Sequence, residues 1–170
     1  MSHEYQVAKC DIYVLSPATN VWLGHDTNVL SPAANALINN AGVCIFGLFE
    51  WQTWKQCETQ IQVNVLGTMR LTRAFIPLLR KTKGNLIFIL FIMTSMTSVN
   101  GFLAYPSLSV YSANKFALEG LNNALRVELY DQYGIRVIIV QPGDYAKLTS
   151  IMSRHEQHAN EMWENMSPED

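Results

Sequence analysis

The sequence predicts an α/β fold in which a parallel sheet carries helices on its faces. Two short apolar runs, 86–93 and 135–140, are the right length for strands and show no alternation, as suits strands buried on both sides. Longer stretches with helical spacing stand between them, and glycine, proline and asparagine punctuate the joins. Strands that alternate with helices need crossover connections, and crossovers give parallel pairing.

The elements follow in order along the chain. Gln6 to Ile12 reads as a short strand. Residues 13–35 are irregular: Val14-Leu15-Ser16-Pro17-Ala18-Thr19-Asn20 nearly repeats as Val29-Leu30-Ser31-Pro32-Ala33-Ala34-Asn35. Each Ser-Pro suits a helix cap followed by proline in the first turn, so a local duplication or a broken helix is expected. Ala36 to Ile38 is a short apolar strand that runs into Asn39-Asn40-Ala41-Gly42. Trp51 to Leu79 is helical, with Ile61, Val65, Leu66, Met69 and Phe75 at helix-like spacing and Pro77 near its end. Gly84 breaks the chain before the strand at 86–93, and 94–108 is a loop rich in Ser, Thr, Gly and Pro. Val110 to Tyr130 is an amphipathic helix with Phe116, Leu118, Leu121, Leu125 and Leu129 on its apolar side. Gly134 is its stop signal. A buried strand from Ile135 to Val140 ends in Gln141-Pro142-Gly143, and the tail 150–170 is polar and helical in part. The expected division is an irregular segment 1–35, a core at 36–149 and a polar segment 150–170.

Composition narrows the function. In 170 residues, hydrophobic types make up 49% and charged types 15%, which fits a packed domain rather than a disordered chain. A net charge of −2 gives no basic field to attract nucleic acid. Arg70, Arg73, Arg80, Lys81 and Lys83 read as a solvated helix face and its exit. Cys10, Cys44 and Cys57 are scattered, which argues against a disulfide framework or a zinc site and for a reducing compartment. His155 and His158 lack a third ligand nearby and read as a solvated helix face rather than a metal site. Met1 to Lys9 lacks the apolar core of a signal peptide. The longest apolar run falls far short of the ~20 residues a bilayer span needs. An intracellular, cytoplasmic protein with no transmembrane segment is expected, with mitochondrial or endoplasmic-reticulum association left open for a longer form.

Tyr111 and Lys115 are the first candidates for chemistry. At i and i+4 of one helix they share a face. A free phenol has a pKa of about 10, too high for easy proton transfer at neutral pH, and an adjacent ammonium favours the phenolate. The spacing alone is common in helices, so its neighbours matter. Ser98 lies in the loop after a strand, where a hydroxyl can hydrogen-bond a carbonyl. Asn64 falls mid-helix, where Asn is a mediocre helix former, and its side chain suits a water that feeds protons to Lys115. Asn39-Asn40-Ala41-Gly42 follows a strand, where an amide can pin adjacent loops and Gly42 permits close backbone approach. In a parallel sheet, ligands bind beyond the carboxyl ends of the strands, where Asn39 and Asn40, then Ser98, then Pro142-Gly143 stand.

Five segments taken together resemble the short-chain dehydrogenase/reductase family. They are Leu37-Ile38-Asn39-Asn40-Ala41-Gly42, Val63-Asn64-Val65-Leu66-Gly67, Ser98-Val99-Asn100-Gly101, Tyr111 through Gly120, and Pro142-Gly143. Order and most spacings agree over 36–149, and the chain is similar to the branch containing retinol, 17β-hydroxysteroid and 3-hydroxybutyrate dehydrogenases. The resemblance implies NAD or NADP as cofactor and interconversion of a secondary alcohol and a ketone of the steroid, retinoid or hydroxy-acid class. It implies Tyr111 as general acid/base, Lys115 lowering its pKa and holding the nicotinamide ribose, Ser98 orienting the substrate oxygen and Asn64 completing a proton relay. Asn39, Ala41 and Gly42 would line the cofactor groove, Pro142 and Gly143 would border the nicotinamide, and Asp11 would contact the adenine end or simply cap a turn. It implies a homodimer through the helices at 51–80 and 110–130.

The chain also departs from the family's pattern. No T-G-x-x-x-G-x-G turn occurs, although that turn brings backbone N–H groups and a helix N-terminus to the pyrophosphate. The implied architecture is an incomplete Rossmann-like doubly wound parallel sheet, truncated and lacking the family's first two strands. The segment at 6–12 would then slide in beside the strand at 36–38 or stay loose. Gly84 to Ser98 is several residues longer than the pattern, as if 90–93 were inserted, and Lys147 stands where the family has threonine. Two functions follow: an active oxidoreductase, or an inactive form that keeps the catalytic face and a dimer surface without holding the dinucleotide.

Overall fold

The computed structural model describes residues 12–15, 22–23, 36–81, 92–143 and 150–166. Five strands form one sheet, β1 (Ile12–Leu15), β2 (Trp22–Leu23), β3 (Ala36–Asn39), β4 (Ile92–Met96) and β5 (Arg136–Val140), in the spatial order β2-β1-β3-β4-β5. β1, β3, β4 and β5 run parallel, and β2 returns antiparallel on β1. The register sets Leu37 opposite Met93 and Met93 opposite Val137, so these positions share one face.

One long helical run connects β3 to β4. It comprises α1 (Trp54–Ile61), a π-helical stretch at Gln62–Gly67 and α2 (Thr68–Lys81). Thr53 caps α1: its hydroxyl accepts from the Gln56 N–H, and the Gln56 side chain accepts from the Thr53 N–H. α3 (Ser109–Tyr133) connects β4 to β5 and stops at Gly134, whose φ of 67° is left-handed and whose N–H reaches back to the carbonyls of Leu129 and Tyr130. A 3-10 turn at Ser150–Met152 and α4 (His155–Asn165) follow. Leu37, Phe75, Leu79, Leu129, Ile135 and Val137 form the buried core, so α2 and α3 cover the same face of the sheet. On the other face Arg136, Ile138 and Val140 are exposed. Among the described residues, no helix is long and apolar enough to cross a membrane.

Several expectations are corrected. A strand occupies 12–15 and pairs with β3; of the strand expected at 6–12 only Ile12 falls within the described residues, and 6–11 lie outside them. Within 13–35 the described parts, 13–15 and 22–23, are strand and not broken helix, and both Ser-Pro pairs lie outside the described residues. Of the strand expected at 86–93, residues 92–93 are described and are strand; it runs on to Met96 into the expected loop, held by a parallel register with both β3 and β5, and 82–91 lies outside the described residues. The helix expected from Trp51 starts at Trp54, because the capping box fixes its entry. Ile61, Met69 and Phe116, expected on buried faces, are exposed, Phe116 by 46%. The buried side of the first helical run mixes Cys57, Val65, Phe75 and Leu79 with the polar Gln56, Gln60, Asn64, Thr68 and Thr72. Hydrophobic periodicity finds only part of this face, because Gln60 and Asn64 meet loop backbone, which needs hydrogen bonds.

Candidate active site

The carboxyl ends of β3, β4 and β5 gather the candidates, as a parallel sheet requires. Asn39 ends β3 buried, and its amide N–H donates to Thr72 on α2 at 3.2 Å. Half-buried Ala41 and Gly42 follow. A methyl group at Gly42 would stand 3.5 Å from Asn64 Oδ1 and 3.9 Å from Lys115 Nζ, which puts this turn between the two side chains. Those are ordinary van der Waals separations, so sterics alone do not require glycine at this position.

Asn64 lies in the π-helical stretch with its side chain buried. Its Oδ1 accepts from the Val43 N–H and its Nδ2 donates to the Val43 carbonyl, both at 2.8 Å. One amide thereby satisfies a whole peptide unit of the loop after β3. The π-helical insertion is a device often found at functional sites, and here it coincides with the residue that ties helix to loop.

Ser98 follows β4 in an extended conformation and caps the 3-10 turn at Val99–Gly101. Its hydroxyl accepts from the Asn100 N–H at 3.2 Å and from Asn100 Nδ2 at 3.3 Å, while Asn100 Oδ1 accepts from the Ser112 hydroxyl at 3.3 Å. This chain of polar groups ties Ser98 to the first turn of α3, the turn that carries Tyr111. The 3-10 turn also packs tightly on α3. A methyl at Gly101 would meet Glu119 Cγ at 2.8 Å and the Lys115 carbonyl at 3.3 Å, so only glycine allows this approach without displacement. Glu119 in turn accepts from Thr97 and Gln141, linking the ends of β4 and β5. The Val99 N–H donates to the Pro142 carbonyl, and Pro142 is half-buried with Gly143 exposed beside it.

Tyr111 and Lys115 are both buried, and Lys115 Nζ lies 5.3 Å from the centre of the Tyr111 ring. Burial dominates the electrostatics. It pushes the Tyr111 hydroxyl up to about 12, with the negative form of Cys44 adding to the rise and a hydrogen bond with Ser98 opposing it. It pulls the Lys115 ammonium down to about 8, against an attraction to Cys44. The half-buried Cys44 thiol is itself raised to about 11 by burial, and Lys115 works against that rise. Desolvation sets the direction for Tyr111, and the lowering expected from Lys115 does not figure in it.

The structure thus brings together Asn64, Ser98, Tyr111 and Lys115 with Gly42, and sets Pro142 against the loop of Ser98. Asp11 lies outside the described residues. Sequence reasoning missed Asn100, Ser112 and Cys44 as neighbours of the site. Ser112 stands beside Tyr111 in the chain and Asn100 two residues after Ser98, so both were within reach. Cys44 carried no signal beyond its closeness to Gly42.

Comparison with known proteins places the chain in a family. The family model for short chain dehydrogenases matches residues 24–160. The mitochondrial D-beta-hydroxybutyrate dehydrogenase of Mus musculus is 34% identical over 132 residues, which is 76% of this chain and 36% of that protein. Retinol dehydrogenase 7 of Mus musculus is 29% identical over 133 residues, 78% of this chain and 39% of its own length. The chain therefore spans well under half the length of these relatives. A short-chain dehydrogenase from Streptomyces avermitilis superposes with a TM-score of 0.59 at 34% identity, covering 66% of this chain and 40% of that one. A 3-ketoacyl-(acyl-carrier-protein) reductase from Brucella melitensis, solved with NADH, gives 0.60 at 25% identity over 65% of this chain and 45% of its own. On sequence and fold alike, this chain belongs to the short chain dehydrogenase family.

Proposed function

We propose that this chain is an oxidoreductase of the short-chain type that interconverts a secondary alcohol and a ketone using NAD or NADP. The observation that carries the reading is the buried group of Ser98, Tyr111 and Lys115 at the carboxyl edge of a parallel sheet, with Gly42 and Asn64 against the lysine. A bound nicotinamide would accept or donate the hydride. The residues do the rest. Ser98, held by Asn100, hydrogen-bonds the substrate oxygen. Tyr111 gives or takes the proton on that oxygen through its hydroxyl, and Lys115 keeps a positive charge beside it. Asn64 positions the loop between β3 and α1 by holding Val43.

The fit to a dinucleotide differs between its two ends. Near the nicotinamide, Gly42, Lys115, Pro142 and Gly143 leave room and polar groups. The buried Asn39 Oδ1 has no hydrogen-bond partner among the described residues, as suits a residue lining a groove. Toward the pyrophosphate the fit is poor. Among the described residues, β1 takes the sheet position beside β3, β2 pairs antiparallel with β1, and no helix N-terminus is described next to them to meet phosphate. This supports a sheet that lacks the family's first two strands, and it favours a second reading, a form that keeps the catalytic face without holding the dinucleotide. The exposed Ile61, Met69 and Phe116 on the long helices support a homodimer in either case.

Titration with NADH and NADPH under thermal denaturation separates the readings. A binder gains about 2.7 kcal/mol at a hundredfold excess over its dissociation constant. Absence of any shift at millimolar cofactor overturns the enzyme reading in favour of the second.

A further inference from the structure

The loop that walls the catalytic pair and the helix that follows Pro142-Gly143 are held by the same helix. Gln52, Gln56 and Gln60 recur every four residues and therefore lie on one side of α1 and its entry. All three are buried, Gln60 with 0% exposure. Uncharged amides buried to this degree survive only when hydrogen-bonded. The Ile45 N–H donates to Gln60 Oε1 at 3.2 Å, Gln60 Nε2 donates to Gln52 Oε1 at 2.9 Å, and Gln52 Nε2 donates to the Gly47 carbonyl at 2.9 Å. This chain has a forced direction. It begins at a peptide N–H, which can only donate, and ends at a carbonyl, which can only accept, so each amide has one permitted orientation.

Gln56 faces the other partner. Its Nε2 donates to the His158 carbonyl and to Glu161 Oε2 on α4, both at 3.0 Å. The two walls also touch each other. Buried Met162 of α4 lies over Gly47, where an added methyl would come within 2.7 Å of its sulfur, and the Phe46 ring meets His155 edge-on at 6.3 Å. The Gly47 N–H continues the brace by donating to the Ser107 carbonyl just before α3.

We propose that Gln52, Gln56 and Gln60 are positioning residues, a ladder on α1 that fixes the loop at Ile45–Gly47 and helix α4 as the two walls of a substrate cleft beside Tyr111 and Lys115. The proposal deepens the oxidoreductase reading and rests on it for the word substrate. The ladder itself is a property of the fold. None of the three glutamines touches Tyr111, Ser98 or Lys115, so the effect on chemistry is indirect: the walls set how well a ligand is held.

The test uses the full chain and two readouts, one of them independent of turnover. Cys44 lies one residue before Ile45, half-buried, so its rate of alkylation by N-ethylmaleimide, followed by peptide mass spectrometry, reports the order of the loop. Gln60→Met keeps volume and deletes the ladder. It removes two buried hydrogen bonds, and loss of the one that holds Ile45 should by itself speed Cys44 alkylation about tenfold. It should also raise KM more than it lowers kcat, because the wall and not the acid/base is disturbed. Gln56→Met should leave Cys44 protected and speed amide exchange in α4 and at the capped first turn of α1. Gln60→Glu supplies the rescue. When protonated, its hydroxyl can donate to Gln52 and the ladder is intact; when ionised, two acceptors face each other somewhere along the chain. Cys44 in that variant should match the parent at low pH and become over-reactive as pH rises, each compared with the parent at the same pH. A Gln60→Met protein that melts earlier with unchanged Cys44 reactivity and unchanged KM would reduce the glutamines to core packing and overturn the proposal. If the parent shows no turnover, the enzyme reading fails, while Cys44 alkylation and α4 exchange still decide the ladder.

Discussion

Tyr111 and Lys115 show how burial competes with pairing at the level of single residues. Both lie near each other, yet both are pushed toward their neutral forms, to about 12 and about 8. If Tyr111 is the acid/base, Tyr111→Phe should lower turnover by at least ~100-fold while leaving cofactor affinity in place, since it removes the proton donor and not the groove. Steady-state kinetics beside a binding titration check this. The lysine gives a stability prediction. Its folded pKa lies below the unfolded one, so between about pH 8 and its unfolded value near 10.5 the unfolded chain binds more protons. Stability must therefore rise with pH through that window. Cys44 and Tyr111, both raised, act in the opposite sense at higher pH. Melting temperatures at pH 7.5 and 9, read as a difference, should rise more in the parent than in Lys115→Met.

At the scale of elements, the helical run from Trp54 to Lys81 buries a face that is part apolar and part amide-bearing. Asn64 and Gln60 each hold a peptide group of the loop after β3. Asn64→Leu would leave the half-buried Val43 N–H and C=O without their side-chain partner, at a cost of about 1 kcal/mol for each. Chemical denaturation should show a loss of that order with an unchanged m-value. The outward side of the same run, with Ile61 and Met69, and Phe116 on α3 supply the apolar surface for the proposed dimer. Met69→Glu with Phe116→Glu should convert a dimer to monomer in light scattering. An unchanged mass would place the interface elsewhere.

At the scale of the whole molecule, the described residues place a helical layer over the core face and leave the opposite face of β5 exposed. α2 and α3 pack on the side of Leu37 and Val137, while Ile138 and Val140 of β5 stand exposed on the other. Parallel sheets are ordinarily covered on both faces. An open apolar face and an edge strand favour self-association. Ile138→Thr with Val140→Thr keeps strand propensity and should raise the concentration at which turbidity appears on warming, with the melting temperature little changed.

The sequence by itself determined the α/β fold class and the order of the strand-helix units from Ala36 to Val140, both written in local spacing: apolar runs and punctuating glycines. It proposed Tyr111 and Lys115 through an i, i+4 pair, and Asn64 and Ser98 through the family resemblance. The Gly134 cap was legible in local spacing as well. What only the tertiary structure decided is nonlocal. The segment at 12–15 takes a place beside β3 because an open parallel edge needs a partner, and no spacing within the chain specifies which segment supplies it. β4 lies at 92–96 because two neighbouring strands fix its register, whereas the long apolar run offered several equivalent choices. The polar inner side of α1, with its glutamines, and the tie from Ser98 through Asn100 to Ser112 depend on backbone groups brought in from distant loops. Hydropathy cannot register a hydrogen-bond partner, so these came into view only once the chain was folded.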